Sequence, residues 1–130
     1  MIAPRLPAMT LAALLVSCAA GGPDWTQAET VTVRMAEYCF VPAQLSLRHG
    51  QPYRLVLVNE GREHHEFTAP EFFRKAEIGD RSVLVAGAKE VALQPGETKT
   101  LRLVAPVPGR YPLTCADHDT FGMDGAIIVE

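Results

Sequence analysis

The stretch Cys115-Ala116-Asp117-His118-Asp119-Thr120-Phe121-Gly122-Met123 brings a thiol, an imidazole and a thioether into the spacing C-x2-H-x4-M. All three are soft or borderline donors, and the metal that accepts them together is copper. Thiolate and imidazole serve both of its oxidation states, and a thioether serves as a weak axial ligand. A second imidazole is on offer upstream, in Glu63-His64-His65-Glu66-Phe67. A lone Cys or Met is ordinarily a core residue. Three such donors at this spacing, followed by Gly125, are better explained by a metal. Zinc accepts Cys and His, but Met is a poor ligand for it. A Cys115–His118 nucleophile–base dyad would leave Met123 unexplained and has no third residue to orient the base.

These donors need a rigid frame, and the rest of the chain supplies short strands. Val31, Val33 and Met35 alternate with polar or small residues, as do Leu45 and Leu47, the mark of half-buried strands. Residues 53–58 form a nearly continuous apolar run, read as a central buried strand. Residues 65–67, 82–86, 90–93 and 98–103 are further strand candidates. Tyr111, Leu113 and Cys115 share one face of the next strand, and 125–129 close the chain. Turns are read at Phe40-Val41-Pro42, His49-Gly50-Gln51-Pro52 and Gln94-Pro95-Gly96-Glu97. Pro70 opens the one short helix expected, over 70–75. Seven to nine short strands with frequent turns indicate an all-β antiparallel sandwich or barrel.

The ends and the composition fit an exported domain. With 130 residues there is room for one domain, and ten Pro and ten Gly favour turns over long helices. A net charge of −3 carries no nucleic-acid signature. Arg5 followed by the apolar run 6–16 reads as a signal peptide, too short to span a bilayer comfortably. Leu15-Val16-Ser17-Cys18 resembles the lipobox of bacterial lipoproteins, which implies cleavage before Cys18 and lipidation of its thiol. The alternative is an ordinary secretory leader cut near Ala19 and Ala20. The division read from this is a lipoprotein signal peptide at 1–17, a tether at 18–29 and the folded domain at 30–130. Three cysteines give no paired framework. Cys39 is read as an inert strand thiol, with a Cys39–Cys115 disulfide as the rival. His49 is read as a solvated turn residue.

Gly96-Glu97-Thr98, Gly109-x-Tyr111-x-Leu113-x-Cys115 and Cys115-x2-His118-x4-Met123-x-Gly125 together resemble the C-terminal half of a plastocyanin-like cupredoxin. Asn59-x-Gly61-x3-His65-Glu66-Phe67 is similar to the first-histidine segment of bacterial cupredoxins. The resemblance covers residues 31–130. It implies a Greek-key β-sandwich holding one copper ion, with His65, Cys115, His118 and Met123 as ligands. Two departures stand out. Plastocyanins usually carry, after the first histidine, an Asn that braces the two ligand loops; here Glu66 stands there. Asp117 and Asp119 also make this ligand loop more acidic.

The function implied is an extracytoplasmic, membrane-anchored type 1 copper protein: a monomeric electron carrier that meets a redox partner protein and is not an enzyme. Copper resistance or delivery is the alternative, although the Met-rich runs common in copper trafficking are absent. The ring edge of His118 is expected to be the exposed electron port, with Asp117 and Asp119 flanking it. Between the adjacent histidines, period-two alternation decides. His65 shares the face of Phe67 and should point inward, whereas His64 shares the face of Glu66. Loaded with Cu(II), His64→Ala should keep the wild-type visible band. His65→Ala should lose it, or recover it only with added imidazole; the reverse result would mean the other strand register.

Overall fold

The structure, a computed structural model, describes residues 21–130. The expected signal peptide at 1–17 and Cys18 lie outside the described residues. The alternation of Val31, Val33 and Met35 becomes β1 (Glu29–Ala36), with Val33 and Met35 fully buried and Thr32 and Arg34 exposed. There follow β2 (Cys39–Val41), β3 (Gln44–Leu47), β4 (Pro52–Asn59), β5 (His65–Thr68), α1 (Pro70–Lys75), β6 (Glu77–Ile78), β7 (Glu90–Leu93), β8 (Thr98–Val104), β9 (Gly109–Thr114) and β10 (Asp124–Val129). They form two five-stranded sheets, ordered β2-β1-β4-β8-β6 and β3-β10-β9-β5-β7. Leu55, Leu57, Leu101 and Leu103 from the first sheet meet Phe67, Leu113 and Ile127 from the second, all essentially without solvent exposure. The result is the all-β sandwich expected, with α1 burying Phe72 and Phe73 at its margin.

Several local readings differ. The ladder is not purely antiparallel: β1 pairs with β4, and β3 with β10, in parallel. Between β1 and β4 the chain visits the other sheet as β3, and β4 returns beside β1 running the same way. Strand β4 is central but not buried on both faces, since Arg54 is exposed and Val56 and Val58 are half-buried. Residues 40–41 do not turn; with Cys39 they form β2 and pair back on β1. Residues 82–86 are not a strand. Asp80 accepts the Ser82 amide and caps a 3-10 turn at Arg81–Val83. Ala86, Gly87 and Ala88 then take positive φ, which ends any extended run. The tiny β6 has too few residues to show a pattern. Within the segment expected to be a tether, Trp25–Gln27 forms a 3-10 turn. The Arg102 guanidinium lies 5.2 Å from the Trp25 ring, docking that turn on the first sheet. Cys39 is exposed and unpaired, so there is no Cys39–Cys115 disulfide.

One glycine in this frame is fixed by close approach. A Cβ on Gly125 would run into the carbonyl oxygen of Ala43, which accepts the Ala126 amide at 2.9 Å. Gly125→Ala is therefore expected to cost ~1–3 kcal/mol through forced backbone movement, measured by urea unfolding of the metal-free protein. Gly109→Ala, whose Cβ would meet only the Tyr111 ring at 3.8 Å, should leave the midpoint nearly unchanged.

Candidate metal centre

The ligand loop hangs from the end of the β9–β10 ladder. The last strand pair is Thr114 opposite Asp124. One rung further, the Cys115 amide donates to the Met123 carbonyl at 3.0 Å. Residues directly opposite in an antiparallel ladder send their side chains to the same face. Cys115 and Met123 thus face the same side, and both are fully buried. The intervening residues fold back through a 3-10 turn, Asp119–Phe121, which Gly122 ends in the left-handed region at φ 78°. The amides of Phe121 and Met123 both donate to the His118 carbonyl, at 3.0 and 3.3 Å, so the loop is wound around His118.

The other histidine arrives on β5. Asn59, wholly buried, donates to the carbonyls of Glu63 and Leu93 and accepts the Gly61 amide. It thereby shapes the loop that delivers His65. His65 is fully buried, and its Nδ1 lies 3.9 Å from Cys115 Sγ. His118 Nδ1 lies 3.4 Å from the same sulfur. The two imidazoles are 5.0 Å apart at 64° to one another. The donor atoms of the three residues all lie within 4.8 Å of each other. For metal–nitrogen and metal–sulfur bonds of about 2.0 and 2.3 Å, tetrahedral to trigonal angles separate N from S by about 3.5–3.7 Å. The spacings observed bracket that range, so the residues fit a single ion. With Met123 opposite Cys115, the donor chemistry is that of copper.

The surroundings are more acidic than the sequence suggested, in unexpected places. Glu66, expected to face solvent beside His64, is only 4% exposed. Its Oε1 is 2.9 Å from His64 Nε2. Its Oε2 accepts the Cys115 thiol at 3.0 Å and the Asp117 amide at 3.4 Å. The Glu66 amide in turn donates to Cys115 Sγ at 3.3 Å. Glu66 therefore ties the two ligand segments together, the role that the resemblance gives to an Asn. Burial pushes its carboxyl up, but the bonds from Cys115 and Asp117 outweigh this and hold it below the usual range. Burial, and donation to Glu66, push the Cys115 thiol up to about 12.

Both histidines present Nδ1 inward and Nε2 outward to a carboxylate. His118 Nε2 is 2.8 Å from Glu63 Oε2. His65 Nε2 stands 3.3 Å from Glu37 Oε1 but is not aligned for a hydrogen bond. Glu37 accepts the amides of Glu63 and Arg62, which hold its carboxyl below the ordinary range. Tyr38 donates to Glu63 Oε1 at 3.0 Å, and its ring stacks on Phe121 at 4.9 Å. The His118 side chain is consequently only 12% exposed, which corrects the expectation of an open ring edge. Asp117 and Asp119 are exposed, the Asp117 carboxylate lying near His64 and Glu66, and the carboxylate that meets His118 belongs to Glu63. His64 is held by Gln94 at 3.1 Å and stays outside the buried set. The sequence reading missed Glu37, Tyr38 and Glu63. Glu63 lies in the loop before β5, where strand alternation does not reach, so the sequence held no signal for it. For Glu37 and Tyr38 there was none either. His49 is exposed as expected, with Nδ1 2.8 Å from the Pro106 carbonyl.

A cupredoxin-like domain family matches residues 7–129. No curated protein sequence matches the chain. Among solved structures, a dithionite-reduced auracyanin from the photosynthetic bacterium Roseiflexus castenholzii is 19% identical, with a TM-score of 0.59. The match covers 80% of this chain and 98% of that one. Auracyanin B is 23% identical at a TM-score of 0.57, over 80% and 90%. A multicopper oxidase from Pseudomonas thermotolerans is 22% identical at 0.64, over 85% of this chain but 31% of the larger one. At these identities the likeness is one of fold.

A thiol raised to about 12 has consequences for the metal-free protein. Its ordinary value is about 8.5. The folded state resists ionisation, so the stability tied to this proton is complete below the ordinary value and is lost as pH rises toward the folded one. Unfolding midpoints of Cys39→Ser should fall over that window more steeply than those of Cys39→Ser/Cys115→Ser. Near neutral pH the buried thiol of Cys39→Ser should resist thiol reagents. Because a ligating thiolate must first lose its proton, copper loading should release protons and tighten as pH rises.

Proposed function

The chain belongs to the cupredoxin-like family, and on that premise we propose that it is an exported electron carrier whose one copper ion is held by His65, Cys115, His118 and Met123. The observation that carries this reading is the convergence of Cys115 Sγ with the Nδ1 atoms of two histidines at 3.4 and 3.9 Å, in a buried pocket. When bound, copper supplies a one-electron store by passing between Cu(II) and Cu(I). The chain's own residues supply everything else. The β9–β10 ladder fixes Cys115 opposite Met123, and Asn59 fixes the loop before His65. A cage held by backbone hydrogen bonds changes little when the charge on the ion changes. The donor set leaves no open position of the kind a catalytic metal keeps for substrate, so the reading is a carrier and not an enzyme. Phe121, 64% exposed and stacked on Tyr38, marks the face beside His118 that a redox partner protein would approach.

The same proposal takes residues 1–17 as a signal peptide, Cys18 as the lipidated residue and the mature protein as a membrane-anchored monomer in an extracytoplasmic space. The second reading, copper handling, has one observation in its favour. His64, Glu66 and Asp117 also place their donor atoms within 4.8 Å of one another, next to the buried set. Such an outer group suits an ion that arrives or leaves.

Copper titration with voltammetry separates the two. An electron carrier should bind one copper per chain with an intense thiolate-to-copper visible band, lost in Cys115→Ala, and should cycle reversibly with fast electron exchange. Release of copper on reduction, or its ready transfer to a competing chelator without a reversible couple, would replace this reading with the second.

A further inference from the structure

The sequence pattern places acidic residues beside His118 at Asp117 and Asp119, yet the carboxylate that reaches its ring comes from Glu63, on a different loop. The arrangement is built in layers. Gly61 leaves room for the Glu37 carboxylate, because a Cβ there would collide with it. Glu37 accepts the amides of Arg62 and Glu63 and so sets the backbone of that loop. Glu63 then places Oε2 2.8 Å from His118 Nε2, while its Oε1 accepts the Tyr38 hydroxyl at 3.0 Å. The Tyr38 ring lies 5.0 Å from that of His118 and screens the pair from one side.

We propose that Glu63 is a positioning residue that fixes the His118 tautomer and biases the metal centre toward its oxidised form, and that the Tyr38 hydroxyl moderates this bias. The inference rests on the copper reading for its redox half and on the chain alone for its tautomer half. An imidazole with Nδ1 on a metal must carry its proton on Nε2, and a carboxylate at Nε2 holds it there while making Nδ1 a stronger donor. A negative charge close to the site also stabilises Cu(II) over Cu(I), since the attraction grows with the charge on the ion. The Tyr38 hydroxyl, donating to the same carboxylate, takes part of that charge away. Removing the charge and removing the hydroxyl should therefore move the potential in opposite directions, which a merely structural role would not do.

Three variants test this at one fixed pH. Glu63→Gln keeps the shape and one acceptor oxygen, which can still face His118 Nε2 while the NH2 donates to the Tyr38 oxygen, and deletes the charge. It should bind copper with the wild-type band and raise the potential, by about tenfold in Cu(II)-over-Cu(I) preference, or about 59 mV for a one-electron couple. Tyr38→Phe keeps the ring and should lower the potential by less. In the metal-free protein, 15N NMR should show His118 with its proton on Nε2 in the wild type and in Glu63→Gln, and as a tautomer mixture in Glu63→Ala. Shifts of the same sign in the first two variants, or no shift in Glu63→Gln, would overturn the redox half. An unchanged tautomer in Glu63→Ala would overturn positioning. Absence of copper binding in the wild type would instead strike the copper reading and leave the tautomer result to stand by itself.

Discussion

The hydrogen bond from the Cys115 amide to the Met123 carbonyl continues the β9–β10 ladder one rung beyond its last strand pair, and the ligand loop depends on it. It fixes the two sulfur-bearing residues on one face, leaves the loop between them too short to wander, and forces His118 into the turn that returns the chain. Backbone pairing at this point is also shielded from competition by water, since both residues are fully buried. The ladder is in turn held by the sandwich core through Leu113 and Ile127 on neighbouring strands. The position of the sulfurs is thus set by sheet register, which a local change in the loop cannot easily shift.

Electrostatics around this frame pull in two directions. Burial opposes ionisation of the Cys115 thiol, and the adjacent Glu66 carboxylate reinforces that opposition. Yet Glu66 is itself kept ionisable by bonds from the thiol and from the Asp117 amide. The thiol and the carboxylate accordingly satisfy one another through a hydrogen bond. The pairing matters because unpaired buried polar groups cost about 1–3 kcal/mol each. His65 Nε2 is the exception among the described residues, buried and lacking an aligned partner beside Glu37.

The three carboxylates that touch the donor residues come from separate places: Glu37 from the β1–β2 turn, Glu63 from the loop before β5, and Glu66 from β5 itself. Each has a distinct use. Glu37 orders a loop through backbone amides, Glu63 caps an imidazole, and Glu66 joins two ligand segments. Aromatic cover from Tyr38 and Phe121 completes the outer side of His118.

Local patterns along the chain mark the candidate donors and the frame. The C-x2-H-x4-M spacing, the alternation of Tyr111, Leu113 and Cys115, and the short strands between turns are local signals, read from neighbours along the chain. So was the inward side of His65, because Phe67 two residues later marks the core face. The folded sandwich decided what lies across from what. Alternation sends Glu66 outward on its own strand, but Cys115 and the loop after it, together with His64, close around its carboxylate, so it is buried. Nothing near Glu37 or Tyr38 in the chain marks them, since their proximity to the histidines arises only when β1 and β2 pack beside the loop preceding β5. Parallel pairing of β1 with β4, and the covering of His118, have the same origin. A sequence pattern reports which face of an element is apolar, whereas the partners that meet the other face are chosen by packing between distant segments.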